Sequence, residues 1–294
     1  MDTETPKAWR RSQRALGVLT AVATLVAGMV ACSRASAPTS PTVDVPLQAG
    51  QQTVLFDAMG FTDMAVDAKN TLYLGGSLGI ATVTPGADKP IPLEHGSLPV
   101  STLAAAPDGT LYFVTLDNVV ESLAPGSTAP DRLPFGELRQ RSQIAVGKDR
   151  TVYLGDNQQG KLLTLAPGAN SPSALPVEGV NGMGHMVVDA NDNVFVSVMG
   201  KVVKIAENAT TVETVEGAPD NVGGLAVDAG GNLYATDIEA NTVSRMPAGG
   251  GEWVQLPFSG IQSPTRIAVD DDGNVYVIAA IRDRGRQIIR LSAE

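Results

Sequence analysis

One ten-residue motif returns six times along the chain, and each copy ends on an aromatic residue. The copies read MAVDAKNTLY, LAAAPDGTLY, IAVGKDRTVY, MVVDANDNVF, LAVDAGGNLY and IAVDDDGNVY. Their aromatic residues are Tyr73, Tyr112, Tyr153, Phe195, Tyr234 and Tyr276, at spacings of 39, 41, 42, 39 and 42 residues. All five tyrosines of the chain stand at this position, which indicates one packing niche used six times. A period of this size is typical of a supersecondary unit repeated in a solenoid or a propeller.

Each copy predicts a β-hairpin in which a short apolar strand leads through a tight turn into the strand that carries the aromatic. The turns hold residues that tolerate the positive φ of such hairpins: Gly109, Gly231 and Gly273, or Asn70 and Asn193. Arg150 breaks this pattern and predicts a wider turn in the third copy. A third and a fourth strand follow each hairpin, and four antiparallel strands per repeat match the blade of a β-propeller.

The two ends of the chain predict how the ring closes. The last copy ends after its third strand, in RQIIRLSAE, while residues 52–60, QTVLFDAMG, match the fourth strands of other copies. We therefore expect an all-β, six-bladed propeller of four-stranded antiparallel blades, closed by the N-terminal strand. Closure would remove a free sheet edge. A solenoid, the alternative, would need polar caps and would not explain the shifted phase of the repeats.

These units resemble NHL repeats, and the predicted ring over residues 51–294 resembles an NHL six-bladed β-propeller. It is similar to the extracytoplasmic sensor propeller of mycobacterial serine/threonine kinases, in which phrases like LAVDAGGNLY recur. The chain has no kinase Gly-rich loop and no HRD or DFG motif. The resemblance thus implies a sensing or scaffold surface without an output domain of its own.

The N-terminal segment has the layout of a secretory signal. Four basic residues precede an apolar run over residues 15–31, and small Ala31 stands directly before Cys32, the only cysteine. We interpret residues 1–31 as a lipoprotein signal peptide and Cys32 as the site of lipidation with palmitate or a related acyl chain. The alternative is an uncleaved membrane anchor, since 17 apolar residues approach spanning length.

Residues 32–50 are small, polar and Pro-rich after the cysteine, which predicts a disordered tether with a reach of about 23 Å. Removal of residues 1–31 would take away two acidic and four basic residues, so the net charge of −10 would become −12. Such a charge argues against nucleic acid as a partner. We expect a monomer held by its lipid on the extracytoplasmic face of the cell membrane.

Candidate binding residues come from one aligned position, two residues before the first Ala or Val of each inner strand. This position holds Asp63, Thr102, Gln143, His185, Gly224 and Arg266. Because inner strands of a propeller converge on the axis, the five polar residues should ring one mouth of the channel. Arg266 should pair with Asp63 and end in solvent, and His185 should face them. The alternative is a wet channel end at which any polar residue serves.

The remaining polar positions predict no chemistry. The repeated aspartates, such as Asp67 and Asp228, invite a calcium interpretation, but an Asp that ends a strand commonly bonds the backbone of its own turn. His95 and His185 have no metal-ligand spacing. We predict no catalytic residue, metal or cofactor.

Three functions remain open. The favoured one is a binding, sensing or scaffold module that engages a protein, peptide or glycan of the cell envelope. The alternative is a propeller enzyme of lyase or lactonase type with its site at the channel mouth. A purely structural envelope protein is the third.

Overall fold

The computed structural model describes residues 50–94, 98–138 and 142–293, which fold into 24 β-strands in six four-stranded antiparallel sheets. The predicted signal peptide, Cys32 and the tether up to residue 49 lie outside the described residues. No helix within these ranges is long and apolar enough to cross a membrane.

Each sheet is one blade, and in five of the six blades the four strands follow one another along the chain. The first, innermost strands are β2 (Phe61–Val66), β6 (Val100–Ala105), β10 (Gln143–Val146), β14 (Met183–Val188), β18 (Val222–Val227) and β22 (Ile261–Val269). The second strands, which carry the aromatics, are β3 (Leu72–Gly76), β7 (Leu111–Thr115), β11 (Val152–Asp156), β15 (Val194–Val198), β19 (Leu233–Asp237) and β23 (Val275–Ile281). The third strands are β4 (Gly79–Val83), β8 (Val120–Leu123), β12 (Lys161–Leu165), β16 (Lys201–Ile205), β20 (Thr242–Met246) and β24 (Gly285–Leu291).

The outer strands differ between blade six and the rest. Five blades end in strands of two residues: β5 (Ile91–Pro92), β9 (Asp131–Arg132), β13 (Ser173–Ala174), β17 (Glu213–Thr214) and β21 (Val254–Gln255). Blade six has the order β22-β23-β24-β1, and β1 (Gln52–Asp57) pairs antiparallel with β24 from Gln52↔Leu291 to Asp57↔Gln287. The predicted closure by the N-terminal strand is confirmed. Very short outer strands offer few free peptide groups, which limits edge-to-edge association.

The six hairpin turns are all of one size. In each, an N–H donates to the carbonyl three residues earlier, as from Gly109 to Ala106 and from Arg150 to Gly147. Arg150 itself adopts φ of 70°, so the wider turn predicted for the third copy is wrong. In the fourth copy the residue with positive φ is Asp192, not Asn193 as predicted. Short polar side chains tolerate this conformation, and the surrounding hairpin imposes it on Arg150.

The repeated aspartate caps its own turn and also binds the repeated tyrosine. Asp67 Oδ1 accepts hydrogen bonds from the backbone of Lys69 and Thr71, both at 2.9 Å. Its Oδ2 accepts the Tyr73 hydroxyl at 3.0 Å, and the same bond joins Tyr234 to Asp228 at 2.9 Å. Blade six repeats this bond between Tyr276 and Asp270 at 2.9 Å. Turn capping is therefore what these aspartates do, as the sequence predicted.

The aromatic niche lies between neighbouring blades. Tyr234 is 5% exposed and belongs to one core cluster with Ile267 and Val275 of blade six. Tyr73 packs likewise with residues of blade two, including Leu103. Burial first, and then the bonded carboxylate, raise the pKa of Tyr73 and Tyr234 above the usual range of a tyrosine. Each tyrosine thus joins a turn of its own blade to the core it shares with the next.

We expect Tyr234→Phe to lower the free energy of unfolding by about 1–2 kcal/mol, because it removes a hydrogen bond to a carboxylate and leaves the packing intact. Tyr112→Phe is the matched control, since Ala106 stands where the aspartate of its turn would be. Tyr234→Ala should cost about 3–5 kcal/mol through the cavity it creates. Urea denaturation measures all three, and equal costs for the two Phe variants would contradict a role for the Tyr–Asp bond.

Candidate functional site at the channel mouth

The six innermost strands surround a central channel of about 170 Å³. Its lining is mostly aliphatic and comes from all six blades, with Val66, Ala105, Val146, Val188, Val227 and Val269 among its residues. The register Phe61↔Gly76 and Gly76↔Gly79 marks one end of blade one, and Asp63 lies near this end. We call this side of the ring the mouth face. The opposite side, with the turns that join first and second strands, is the turn face.

Asp63 is the centre of the mouth. Its carboxylate is 0% exposed, and its Oδ1 accepts a hydrogen bond from the Arg266 Nε–H at 2.9 Å. Oδ1 also accepts the Met64 amide at 3.1 Å, and Oδ2 accepts the Leu103 amide of blade two at 3.0 Å. His185 Nε2 of blade four lies 3.5 Å from Oδ1. One carboxylate therefore links blades one, two, four and six at the axis.

The tautomer of His185 follows from its partners. Its Nδ1 accepts the Leu225 amide of blade five at 3.1 Å, so Nδ1 carries a lone pair. The ring hydrogen of the neutral imidazole is then on Nε2, which faces Asp63. Asp63 bonds Leu103 of the following blade in the same way that His185 bonds Leu225, across the same sequence separation of 40 residues. Both ring residues accept the amide of the next blade's inner strand.

Arg266 is held by backbone as well as by Asp63. Its Nη1 donates to the Thr265 carbonyl at 2.7 Å and to the Gly223 carbonyl of blade five at 3.1 Å. The side chain is 21% exposed, and that of Asp63 is 0% exposed. The predicted pairing is confirmed, but the prediction that this pair is solvent-exposed is wrong. The guanidinium points across the ring of inner strands, towards Asp63 and the Gly223 carbonyl, rather than out into solvent.

The ionisation of Asp63 reflects this setting. Burial alone raises the pKa of a carboxyl, but the Arg266 guanidinium, together with His185 and a hydrogen bond from Thr102, outweighs burial and lowers the pKa of Asp63 to about 2. The carboxylate is therefore charged at every pH at which the protein would work. A general base near neutral pH needs a pKa closer to 7, which Asp63 does not have.

The other predicted ring residues divide into two groups. Thr102 is buried and bonded to Asp63. Gln143 differs from Thr102, because its buried Oε1 accepts no hydrogen bond from the described residues. Gly224 makes room, because a Cβ there would lie 2.9 Å from the Arg266 Cα. Four of the five polar residues thus meet, and the glycine of the ring permits the approach of the arginine.

Sequence reasoning missed Arg286 and the motif at residues 75–79. Arg286 Nη2 donates to Thr265 Oγ1 at 2.7 Å, and burial and the charge of Arg266 lower its pKa. Residues 75–79, GGSLG, match the G-x-S-x-G pattern of hydrolase nucleophiles. That pattern needs a strand-to-helix turn. Here it joins β3 to β4, and Ser77 Oγ donates to the Gly60 carbonyl at 3.4 Å. The motif is a β-hairpin turn.

Metal ligands are not gathered anywhere in the part of the chain that the structure describes. Over residues 50–94, 98–138 and 142–293, no group of three or more His, Cys, Asp or Glu side chains is arranged so that it could hold a metal ion.

Comparisons with known proteins support the fold. Neither the models of known protein families nor the curated proteins include a match. Among solved structures, the chain is similar to a gluconolactonase from Xanthomonas campestris, with a TM-score of 0.65 and 13% identity over 83% of this chain and 89% of the other. It is also similar to virginiamycin B lyase from Staphylococcus aureus, with a TM-score of 0.58 and 14% identity over 83% and 99% of the two chains.

A third similar structure is a protein of unknown function from Bacteroides thetaiotaomicron, with a TM-score of 0.61 and 15% identity over 84% of this chain and 73% of the other. At these identities the likeness shows a shared propeller fold and nothing finer.

We expect Arg266→Ala to lower the free energy of unfolding by about 3 kcal/mol, because it leaves the buried Asp63 carboxylate without its cation. The same substitution in an Asp63→Asn background should cost clearly less, since no unpaired charge remains. Arg284→Ala, at an exposed arginine of blade six, is the control and should change stability by less than about 0.5 kcal/mol. Chemical denaturation tests this, and equal effects of Arg266→Ala in both backgrounds would contradict the ion-pair account.

Proposed function

We propose that this protein is a lipid-anchored, extracytoplasmic β-propeller of NHL type that acts as a binding, sensing or scaffold module in the cell envelope. The observation that carries this proposal is the saturated network at the mouth. Asp63 receives Arg266, His185 and two backbone amides, and both nitrogens of His185 face partners. Side chains whose hydrogen-bonding capacity is used within the fold make the mouth rigid. They have few free donors or acceptors left for a reacting substrate.

The NHL assignment and the link to a kinase sensor propeller rest on the repeated motif. The structure supports them because two residues of that motif form a hydrogen bond with each other. The Asp of LAVD bonds the Tyr of NLY in blade five, and Asp67 and Asp270 do the same in blades one and six. A rigid ring with variable turns suits recognition of another molecule.

Anchoring through Cys32 is supported by the sequence around it. The basic n-region, the apolar run and Ala31 before the sole cysteine form a signal of the lipoprotein kind. The described propeller begins at residue 50, so the proposed tether is long enough to let the ring turn above a membrane.

We expect Cys32→Ala to abolish incorporation of radiolabelled palmitate and to release the protein from the membrane fraction, because the thiol that would carry the acyl chain is gone. Ser33→Ala, one residue along, is the control and should leave both properties unchanged. Continued labelling of the Cys32→Ala chain, or its retention at the membrane, would show that the apolar segment anchors the protein by itself.

Binding is tested by photo-crosslinking the full-length chain in the envelope of the cells that make it. A photoreactive residue is placed at Thr62 on the mouth face or at Lys69 on the turn face, both of which are exposed. We expect at least one position to give an adduct of defined mass with a single partner. Absence of adducts from both positions would overturn the binding function.

The alternative is a propeller enzyme. The observation in its favour is that similar solved structures include a gluconolactonase and virginiamycin B lyase. A structure of the latter with quinupristin has a His-to-Ala substitution and is described as catalytically inactive. In the single histidine of the described residues, His185, Nε2 faces Asp63 and Nδ1 accepts the Leu225 amide, so neither ring nitrogen is free for a substrate. Incubation with lactones and with a streptogramin B antibiotic separates the two functions, since turnover lost in His185→Ala would favour the enzyme.

A further inference from the structure

A groove of about 270 Å³ lies between blades three and four, beside their hairpin turns. Three acidic side chains line it: Asp149 from the hairpin turn of blade three, and Asp192 and Glu207 from two turns of blade four. The other described residues of its lining are polar or hydrophobic and include no lysine or arginine. The groove is therefore acidic, and no cation of its own lining balances it.

At two other junctions, the hairpin turn of one blade supplies a donor to the turn of the blade before it. Asn70, the residue with positive φ in blade one, donates through Nδ2 to Asp272 Oδ2 of blade six at 2.8 Å. Arg150, the equivalent residue of blade three, forms an ion pair with Asp108 of blade two at 3.6 Å. In both cases a donor in the later turn meets a carboxylate in the earlier one.

Between blades three and four, the equivalent pair has no donor. The residue with positive φ is Asp192, and the carboxylate of the earlier turn is that of Asp149. Both side chains approach Gly147, because a Cβ on this glycine would lie 3.2 Å from Oδ1 of each. Oδ1 of Asp192 is buried and accepts no hydrogen bond from the described residues. Two carboxylates thus face each other where a donor meets a carboxylate elsewhere in the ring.

Tyr153 lacks a partner at the same place. Gly147 stands where blades one, five and six have the aspartate that accepts the tyrosine hydroxyl, and a Cβ on it would lie 3.5 Å from Tyr153 Cε2. Tyr153 is 8% exposed, and its hydroxyl forms no hydrogen bond within the part of the chain that the structure describes. Burial first, and then the charges of Asp192, Asp149 and Glu207, raise the pKa of Tyr153 to about 12. A buried hydroxyl without a partner therefore lines the same groove as the carboxylates.

Lys148 is a cation close to these acids, but its Nζ donates to the Ala190 carbonyl. Its charge lowers the pKa of Asp192, yet burial and the negative charges of the neighbouring acids, Asp149 first, outweigh it and raise that pKa. Lys148 therefore leaves the negative charge of the groove only partly balanced.

The third strands explain why the groove has no further cation. The residue that pairs with the repeated aromatic is Lys204 in blade four, Arg245 in blade five and Arg290 in blade six. Arg245 lines the groove between blades five and six together with Tyr234. In blade three the same position holds Thr164, which has no charge to offer.

We propose that the groove between blades three and four binds a primary ammonium group carried on a short aliphatic chain. This is a second site, apart from the channel mouth, and it does not depend on the proposed function. An ammonium group has three N–H donors, which would go to the carboxylates of Asp149 and Asp192 and to the hydroxyl oxygen of Tyr153. The aliphatic chain would lie against Leu175 and Ala206, which also line the groove.

The donor set suits an ammonium group better than a metal ion. Among the described residues, no three acidic or histidine side chains are arranged so that they could hold a metal. Both oxygens of Asp149 already accept hydrogen bonds from Thr151, at 2.8 Å each. Charge-assisted N–H···O bonds of about 2.8 Å tolerate such shared acceptors, whereas calcium needs six to eight oxygens at about 2.4 Å.

The test is titration calorimetry of the full-length protein with n-pentylammonium, in non-ionic detergent and amine-free phosphate buffer at neutral pH. We expect saturable binding at one site and a matching rise of the melting temperature. Pentyltrimethylammonium keeps the chain and the charge but has no N–H donors, so it should bind at least about tenfold more weakly. Tyr153→Phe should weaken the binding of n-pentylammonium severalfold, since it removes one acceptor.

Asp192→Asn is the decisive variant, because it copies the arrangement of Asn70 and Asp272. Asparagine tolerates positive φ, and its amide can donate to Asp149, so the variant should melt at a higher temperature than the parent. It should bind n-pentylammonium at least about tenfold more weakly, because the site then contains its own donor. Glu216→Gln is the matched control, since it removes one negative charge from the groove between blades four and five and should bind as the parent does.

A titration with Nα-acetyl-lysine amide identifies the source of the ammonium group. Affinity equal to that of n-pentylammonium would assign the site to a lysine side chain of a polypeptide, and much weaker binding would assign it to a free amine. Three results would overturn the proposal: no saturable binding to the parent, equal affinities of the parent and Asp192→Asn, or equal affinities of the two alkyl cations. Displacement of n-pentylammonium by calcium at a lower concentration would assign the groove to a metal ion instead.

Discussion

The buried carboxylate of Asp63 is the constraint on which the centre of this ring depends. A charge that is 0% exposed is costly unless it is neutralised and fully hydrogen-bonded. Its partners come from blades two, four and six, so the cost is met only when blades distant in sequence have the correct relative positions. Aliphatic side chains between blades give non-directional stability. The carboxylate adds directionality, because a ring of another diameter would leave it unpaired.

Much of the fold could be predicted because its signals are local. The turn residues, the alternation of short apolar strands and the fixed place of Tyr73 and its equivalents are each readable within about 40 residues. Closure was also readable, since QTVLFD at 52–57 supplies the strand that the last repeat lacks. Arg150 was misjudged because its positive φ is imposed by the hairpin around it rather than encoded by the residue.

The sequence predicted which residues form the site but not how deeply they are buried. Alignment of the repeats brought Asp63, His185 and Arg266 to one level, because equivalent positions of a propeller share a height. It could not give the distance across the axis, which depends on how six inner strands pack. Gly224 is an example of a residue whose role the sequence alignment could not predict. Its role is to leave space for the Arg266 backbone, 42 residues away, and no local pattern announces such a contact.

The pairing of β1 with β24 has a consequence for when the protein can fold. Gln52 and Leu291 are partners, so β1 cannot pair until β24 has been synthesised. Loop closure over a separation of this length has an entropic cost that the intermediate blades can reduce only by stacking first. Until β24 has been synthesised, an incomplete ring would expose the unpaired edges of β1 and β23. Synthesis of β24 is thus the step that allows a row of blades to become a closed ring, and truncation before β24 would leave β1 without its partner strand.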